Sequence, residues 1–172
     1  MEQRYDSIVI GGGIAGASFA TALAREGAHV LVLERENVFK DRVRGEWLAP
    51  WGVAEMRGLG LEEAFQRAGA SEMPFLAGRS LKPRSVKTPD GDAGLTFFHP
   101  VLQASLLRQA GNSGATIERG ARVVEVATAG GRPAVQYMTE KGLVTAMAPL
   151  IVGADGRTSL ARKALGADEQ VH

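Results

Sequence analysis

The chain has 172 residues, enough for one substantial core, since a domain of about this size buries roughly 70% of the surface that its unfolded chain exposes. With 20 basic and 19 acidic residues the formal net charge is +1, so no bulk field recruits nucleic acid or an anionic membrane surface. There are no cysteines, which excludes disulfides, thiolate catalysis and cysteine-ligated metals, and His29, His99 and His172 are scattered without metal-ligand spacing. No apolar run reaches the length of a membrane span, and Met1 to Arg4 lead into the first predicted strand without the apolar region of a signal peptide, so the expected location is cytoplasmic.

Residues 5–10 form a short, mostly apolar run that reads as a buried parallel strand. It enters Gly11-Gly12-Gly13-Ile14-Ala15-Gly16, a G-x-G-x-x-G turn, and residues 15–25 follow with the Ala- and Leu-rich composition of a helix. In such a turn Gly11 permits the tight bend, Gly13 leaves room for phosphate oxygens, and Gly16 lets helix and strand approach. The helix presents free N–H groups and the positive end of its dipole to a pyrophosphate. Gly27 is the expected stop, and a second apolar strand over residues 29–33 ends at Glu34. An acidic residue at that strand tip suits the hydroxyls of an adenosine ribose. The bland alternative is a glycine-rich βα turn with no ligand and a solvated Glu34.

Residues 35–50 read as a loop or short helix carrying Arg35, Lys40, Arg42 and Arg44 among acidic residues. Pro50 begins a helical stretch with Val53, Met56 and Leu59 on one period, broken by Gly58 and Gly60, and residues 61–67 form another short helix closed by Gly69. Trp47 and Trp51 have the spacing of helix packing. Between residues 73 and 98, Pro74, Pro83, Pro89 and the Asp90-Gly91 turn punctuate strands expected at 75–82, 84–89 and 94–98, part of another sheet. His99 ends the last of these, and Pro100 stands as the first residue of a helix through Leu102, Leu106, Leu107 and Ala110 to Gly111.

A strand over 115–118 precedes a meander over 123–126, 134–139 and 143–147, turned at Gly130-Gly131 and Glu140-Lys141-Gly142. A buried strand over 150–152 then ends in Gly153-Ala154-Asp155-Gly156, with a helix beginning near Thr158. Asp155 is a carboxylate at the C-terminal end of a strand, where doubly wound sheets bind ligands, with Gly153 and Gly156 permitting close approach. Its alternative role is an Asp-Gly turn capping a helix. The order of elements gives an α/β fold, Rossmann-like, with a parallel sheet and a β-meander on one face.

Taken together, these segments resemble the flavoprotein monooxygenases of the para-hydroxybenzoate hydroxylase type. The resemblance rests on Gly11, Gly13, Gly16 and Glu34, on Gly153-Ala154-Asp155-Gly156-Arg157 through Arg162, and on Arg44-Gly45-Glu46 with Leu48-Ala49-Pro50 and Leu59-Gly60-Leu61. It implies an FAD-binding domain built from residues 1–72 and 99–172, and a β insertion at 73–98 that is a fragment of a second, β-sheet substrate domain. FAD would be held at Gly11, Gly13, Ile14, Ala15 and Gly16 (pyrophosphate), Glu34 and neighbouring Arg35 (adenosine side), Arg44 and Gln103 (ribose or ribityl chain), and Asp155 and Gly156 (phosphate–ribityl region). Arg44 is otherwise a surface charge in a mixed loop, and Arg108 an exposed helix charge. The implied activity is an FAD-dependent oxidoreductase that inserts oxygen, with NAD(P)H as electron donor and a small-molecule substrate of aromatic or polyketide-like type; no catalytic residue and no metal ligand is singled out.

The departure from the family is length. Its members run to well over twice this chain, adding most of the substrate domain and a second Gly-Asp motif that nothing after Gly166 resembles. The expectation is a piece of a longer protein, or a reduced relative, that does not hydroxylate a substrate alone. Rival readings are another FAD-dependent oxidoreductase related to geranylgeranyl reductases or to halogenases (whose W-x-W-x-I-P segment is missing), a nicotinamide dehydrogenase on a plain Rossmann domain, and a non-catalytic nucleotide-binding module.

Overall fold

Four short strands run parallel in the order β12-β1-β2-β8: Ser7–Ile10 (β1), Val30–Glu34 (β2), Thr116–Arg119 (β8) and Leu150–Gly153 (β12). This computed structural model describes residues 4–41, 46–73, 75–77, 83–85, 93–129 and 131–167. β1 lies in the middle, with Ile10 level with Gly153 on one side and Leu33 on the other, so the ends of β1, β2 and β12 share one edge of the sheet. Helix Ile14–Arg25 (α1) makes the crossover from β1 to β2. Every residue of β1 and β2 is buried, as expected of strands covered on both faces.

The alternation along those strands divides the core. Val9 points toward α1, where a Cβ on Gly16 would lie 3.1 Å from its Cγ1. Ile8, Ile10, Leu31 and Leu33 form the opposite face and pack with Val135, Tyr137, Ala146 and Ala148. Those partners come from the antiparallel meander Arg122–Ala129 (β9), Arg132–Thr139 (β10) and Gly142–Met147 (β11), with β10 central and a register shift between Gln136 and Tyr137. Burying each large aliphatic side chain contributes roughly 1.5–3 kcal/mol, so this sheet-on-meander face is a substantial source of stability. Helix Leu160–Ala164 (α5) adds Ala161 to the same cluster.

The chain divides into two compact units, one of residues 1–38 and 107–172 and the other of residues 39–106. The second contains the sheet β3-β7-β4, made of Trp47–Leu48 (β3), Gly94–Thr96 (β7) and Ser71–Met73 (β4), and the separate pair Phe75–Ala77 (β5) with Pro83–Ser85 (β6). Helices Pro50–Gly58 (α2) and Glu62–Arg67 (α3) lie between β3 and β4 in sequence, and Phe65 meets Phe97 edge to face at 5.8 Å. The division falls inside helix His99–Asn112 (α4).

Several boundaries differ from the sequence reading for identifiable reasons. Trp47–Leu48 is a strand, not a loop or helix, because it pairs with Leu95 and Thr96 far along the chain. Of the strand expected over 75–82, Phe75–Ala77 is strand and residues 78–82 lie outside the described residues; β6 starts at Pro83, and Ser71–Met73 is an additional strand. His99 opens α4 instead of ending a strand, because Leu102 N–H donates to Phe98 O and so makes Phe98 the cap. Helix α5 starts at Leu160, behind the cap Ser159, two residues past Thr158. Gly58 and Gly111 are carried inside their helices; α2 and α4 stop at Gly60 and Gly114, which take φ of +62° and +108°. At α2 the paired bonds Gly60 N–H to Arg57 O and Leu61 N–H to Met56 O form a Schellman close, which Gly27 provides for α1 as expected.

Candidate nucleotide-binding site

The site begins where the apolar strands run out. Gly11 N–H donates to Leu33 O at 2.8 Å and Ala154 N–H donates to Ile10 O at 2.8 Å, so the sheet's hydrogen bonding carries both glycine-rich segments one residue past the strands. Gly11 adopts φ +102°, and a Cβ there would strike Ala154 O and lie 3.0 Å from Asp155 Cα. A Cβ on Gly16 would strike Gly11 O. Only glycines let the turn close this tightly against both the helix and the second motif.

Gly13 is the N-cap of α1, in an extended conformation, and its carbonyl accepts Ala17 N–H at 2.9 Å. No side chain among the described residues caps this helix, and its first turn holds no acidic residue. The N–H groups of Ile14 and Ala15 therefore open a helix with neither a side-chain cap nor an acidic residue in its first turn, the Glu34 carboxylate being engaged just ahead of it by Gly12 N–H. That is the arrangement a pyrophosphate requires.

Glu34 is 6% exposed, which rules out the solvated alternative. Its Oε2 accepts Gly12 N–H at 2.7 Å and its Oε1 accepts Glu36 N–H at 2.8 Å. Arg35 projects outward with its side chain 62% exposed and its Nε 3.6 Å from Glu36 Oε1, an ion pair of little energetic weight. Arg119, level with Glu34 on β8, donates from Nε to Glu36 O at 3.2 Å.

At the second motif the capping alternative for Asp155 is realised. Its Oδ1 accepts the Ser159 hydroxyl, and its Oδ2 accepts Leu160 N–H at 2.6 Å and Ala161 N–H at 3.3 Å. Ser159 Oγ in turn accepts Arg162 N–H at 2.9 Å. Gly153 is needed for packing, since a Cβ there would lie 2.5 Å from that of Ala161, and Gly156 supplies φ +81° in the following turn. Asp155 is half-buried and Gly156 exposed.

The structure thus brings Gly11, Gly13, Ile14, Ala15, Gly16 and Glu34 together with Asp155 and Gly156 at one edge of the parallel sheet. Arg44 lies outside the described residues. Gln103 is half-buried on the part of α4 that belongs to the second unit, and Arg108 is exposed, as its surface-charge reading required. Gly12, Gly153 and Ser159 were not singled out as site residues. The run of three consecutive glycines was the available signal for Gly12, which falls on a variable position of the G-x-G-x-x-G fingerprint.

A parallel βαβ unit with a glycine-lined turn, an uncapped helix start and a buried acid at the tip of β2 defines a Rossmann-like dinucleotide-binding domain. The chain belongs to the FAD binding domain family, whose model matches residues 4–172. Among curated proteins it is similar to squalene monooxygenase SE1 of Panax ginseng, 30% identical over 168 residues that make up 93% of this chain and 31% of the relative. It is also similar to squalene epoxidase 2, mitochondrial, of Arabidopsis thaliana, 30% identical over 96% of this chain and 30% of the relative. Among solved structures, the anhydrotetracycline hydroxylase OxyS of Streptomyces rimosus superposes with a TM-score of 0.82 at 27% identity, covering 95% of this chain and 34% of that one. Aklavinone-11 hydroxylase, solved with FAD and aklavinone, gives a TM-score of 0.72 at 25% identity over 96% of this chain and 36% of that one. The chain spans about a third of the length of these relatives. No helix among the described residues is long and apolar enough to cross a membrane.

Proposed function

We propose that this chain is the nucleotide-gripping portion of an FAD-dependent monooxygenase. The observation that carries the reading is the seating of the Gly11 turn against Ala154 and Asp155, which leaves the start of α1 open to an anion. In this reading Gly11 and Gly16 let bare backbone approach the pyrophosphate, and the N–H groups at Gly13, Ile14 and Ala15 bind it. Glu34 accepts hydrogen bonds from the adenosine ribose, with Arg35 beside it. Asp155 holds the Gly156 turn in shape by capping α5 and keeps an acceptor position on Oδ1 for the phosphate–ribityl region. Arg44 and Gln103 are assigned to the ribose or ribityl chain on the family resemblance. When bound, FAD supplies the electron-transfer and oxygen chemistry that no side chain provides.

NAD(P)H is the proposed electron donor. The proposed substrate is a small aromatic or polyketide-like molecule, supported by similarity to hydroxylases of anhydrotetracycline and aklavinone. The region 73–98 is assigned to a substrate domain whose remainder lies outside these 172 residues, so the chain alone is expected to bind FAD weakly and to hydroxylate nothing. A cytoplasmic location goes with this reading, and cell fractionation tests it. The deciding experiment is an FAD fluorescence titration with Gly13→Trp as control: saturable binding abolished by the indole at the helix cap supports the reading. Equal titration curves for the two proteins would refute it, and NAD(P)H oxidation at rates usual for the family would refute the incomplete-site part alone.

A further inference from the structure

We propose that Gly12 and Glu34 form a latch that fixes both the glycine-rich turn and the ribose-facing carboxylate before any nucleotide arrives, which makes Gly12 a positioning residue. The purpose of the latch rests on the FAD-binding reading; its geometry does not. Gly12 N–H donates to Glu34 Oε2 at 2.7 Å inside the protein, and the other carboxylate oxygen is held by Glu36 N–H at 2.8 Å. Both bonds are charge-assisted, and the Gly12 bond is buried, the circumstance in which a hydrogen bond contributes most and is most costly to break, while the Glu36 bond is part-buried.

Sterics hold the same contact from the other side. A Cβ on Gly12 would lie 3.0 Å from Glu34 Cβ and 3.0 Å from Leu107 Cδ1, so a side chain there fits only if the Glu34 and Leu107 side chains shift by a few tenths of an ångström. The stoichiometry also fits. An ionised carboxylate offers about four acceptor positions, and the two backbone amides use one on each oxygen. The two positions left match the two hydroxyls of a vicinal diol. A carboxamide fails this arrangement, because its NH2 would face a backbone N–H. The middle glycine of the run is therefore set by the acid at the end of β2, which is why the fingerprint spacing alone does not account for it.

The test uses the isotope-labelled chain without nucleotide and reads amide hydrogen exchange and the proton shift of Gly12. The latch requires a slowly exchanging Gly12 amide in the wild type. Glu34→Gln should speed its exchange at least about tenfold and move its resonance, while the β1 amides of Ile8 and Val9 stay unchanged. A wild-type Gly12 amide as fast as an open one overturns the latch, a result that needs no variant to fold. So does a Glu34→Gln protein whose Gly12 and Glu36 amides are both unaltered. A parallel titration with ADP and 2′,3′-dideoxy-ADP separates latch from ligand. A slow Gly12 amide with no ADP binding keeps the latch and defeats the nucleotide reading; ADP binding with a fast Gly12 amide does the reverse.

Discussion

The Ala154 carbonyl occupies the space that a side chain on Gly11 would need, with its carbon 2.8 Å from the position of an added Cβ. Two segments from opposite ends of the sequence are thereby locked together. β12 pairs with β1 in a register that sets Gly153 beside Ile10, and the next residue on each strand makes the contact. The glycine fingerprint and the Asp-Gly motif are one piece of structure, and neither turn can change shape without the other.

Gly11→Ala should therefore be costly for two reasons, a left-handed backbone and an overlap with backbone atoms that have nowhere to move. The two effects together amount to about 3 kcal/mol. Gly156→Ala suffers only the first, since φ is +81° but no atom lies within 4 Å of the new Cβ, and should cost about 1 kcal/mol. Urea unfolding of both variants measures the gap. Equal midpoints would show that the Gly11–Ala154 contact does not constrain the turn.

The cap of α5 gives a second prediction. The helix has only five residues and cannot sustain itself without its ends. Ser159→Ala removes both the acceptor for Arg162 N–H and the donor to Asp155, and should cost roughly 0.5–2 kcal/mol. Gly153→Ala drives α5 from β12 by inserting a methyl 2.5 Å from Ala161 Cβ. Thermal melting should drop by a few degrees for the first variant and further for the second, and an unchanged melt for Gly153→Ala would contradict the packing described.

Alkaline pH should weaken the meander interface. Burial is the main cause that raises the Tyr137 hydroxyl above its ordinary value of 10.0, and the neighbouring Glu118 and Tyr5 raise it further. The Tyr5 hydroxyl is likewise raised by burial, partly offset by its hydrogen bond with Thr116. A raised phenol keeps its proton in the folded state after the unfolded chain has lost it. Its stabilising contribution is complete below about pH 10 and is lost as pH rises from there through the folded value. Urea midpoints measured upward from pH 9 should fall with pH for the wild type and fall less steeply for Tyr137→Phe.

The βαβ unit and the meander were legible because local rules and tertiary demands agree there. Residues 8–10 and 30–33 are apolar throughout, and Gly27 stands where a helix must reverse. The glycines that misled, Gly58 and Gly111, have neighbours two or three residues on that are better placed to take the left-handed conformation, and a sequence window does not show which glycine will do so. β3 and β4 were missed because strands of two and three residues carry almost no period, and their partner β7 is distant in sequence. At the site, the residue types were readable but their bonding was not. Glu34 signalled a ribose contact, while its hold on the Gly12 amide depends on a fold that brings residues 22 positions apart into one turn.

The second unit offers its own test at Gly94. A Cβ there would strike Trp47 Nε1 and lie 3.0 Å from Leu48 O, so β7 pairs with β3 in this geometry only while the residue has no side chain to displace the indole. Trp47 is half-buried, its indole N–H has no hydrogen-bond partner among the described residues, and it meets Trp51 edge to face at 6.5 Å. Gly94→Ala must either tilt that indole or part the strands, at a cost of about 1–3 kcal/mol. Both responses move Trp47 relative to Trp51, which is itself 70% exposed and reports little on burial. The variant should therefore lower the melting temperature and shift the tryptophan emission together. A lower melt with unaltered emission would place the strain elsewhere than on Trp47.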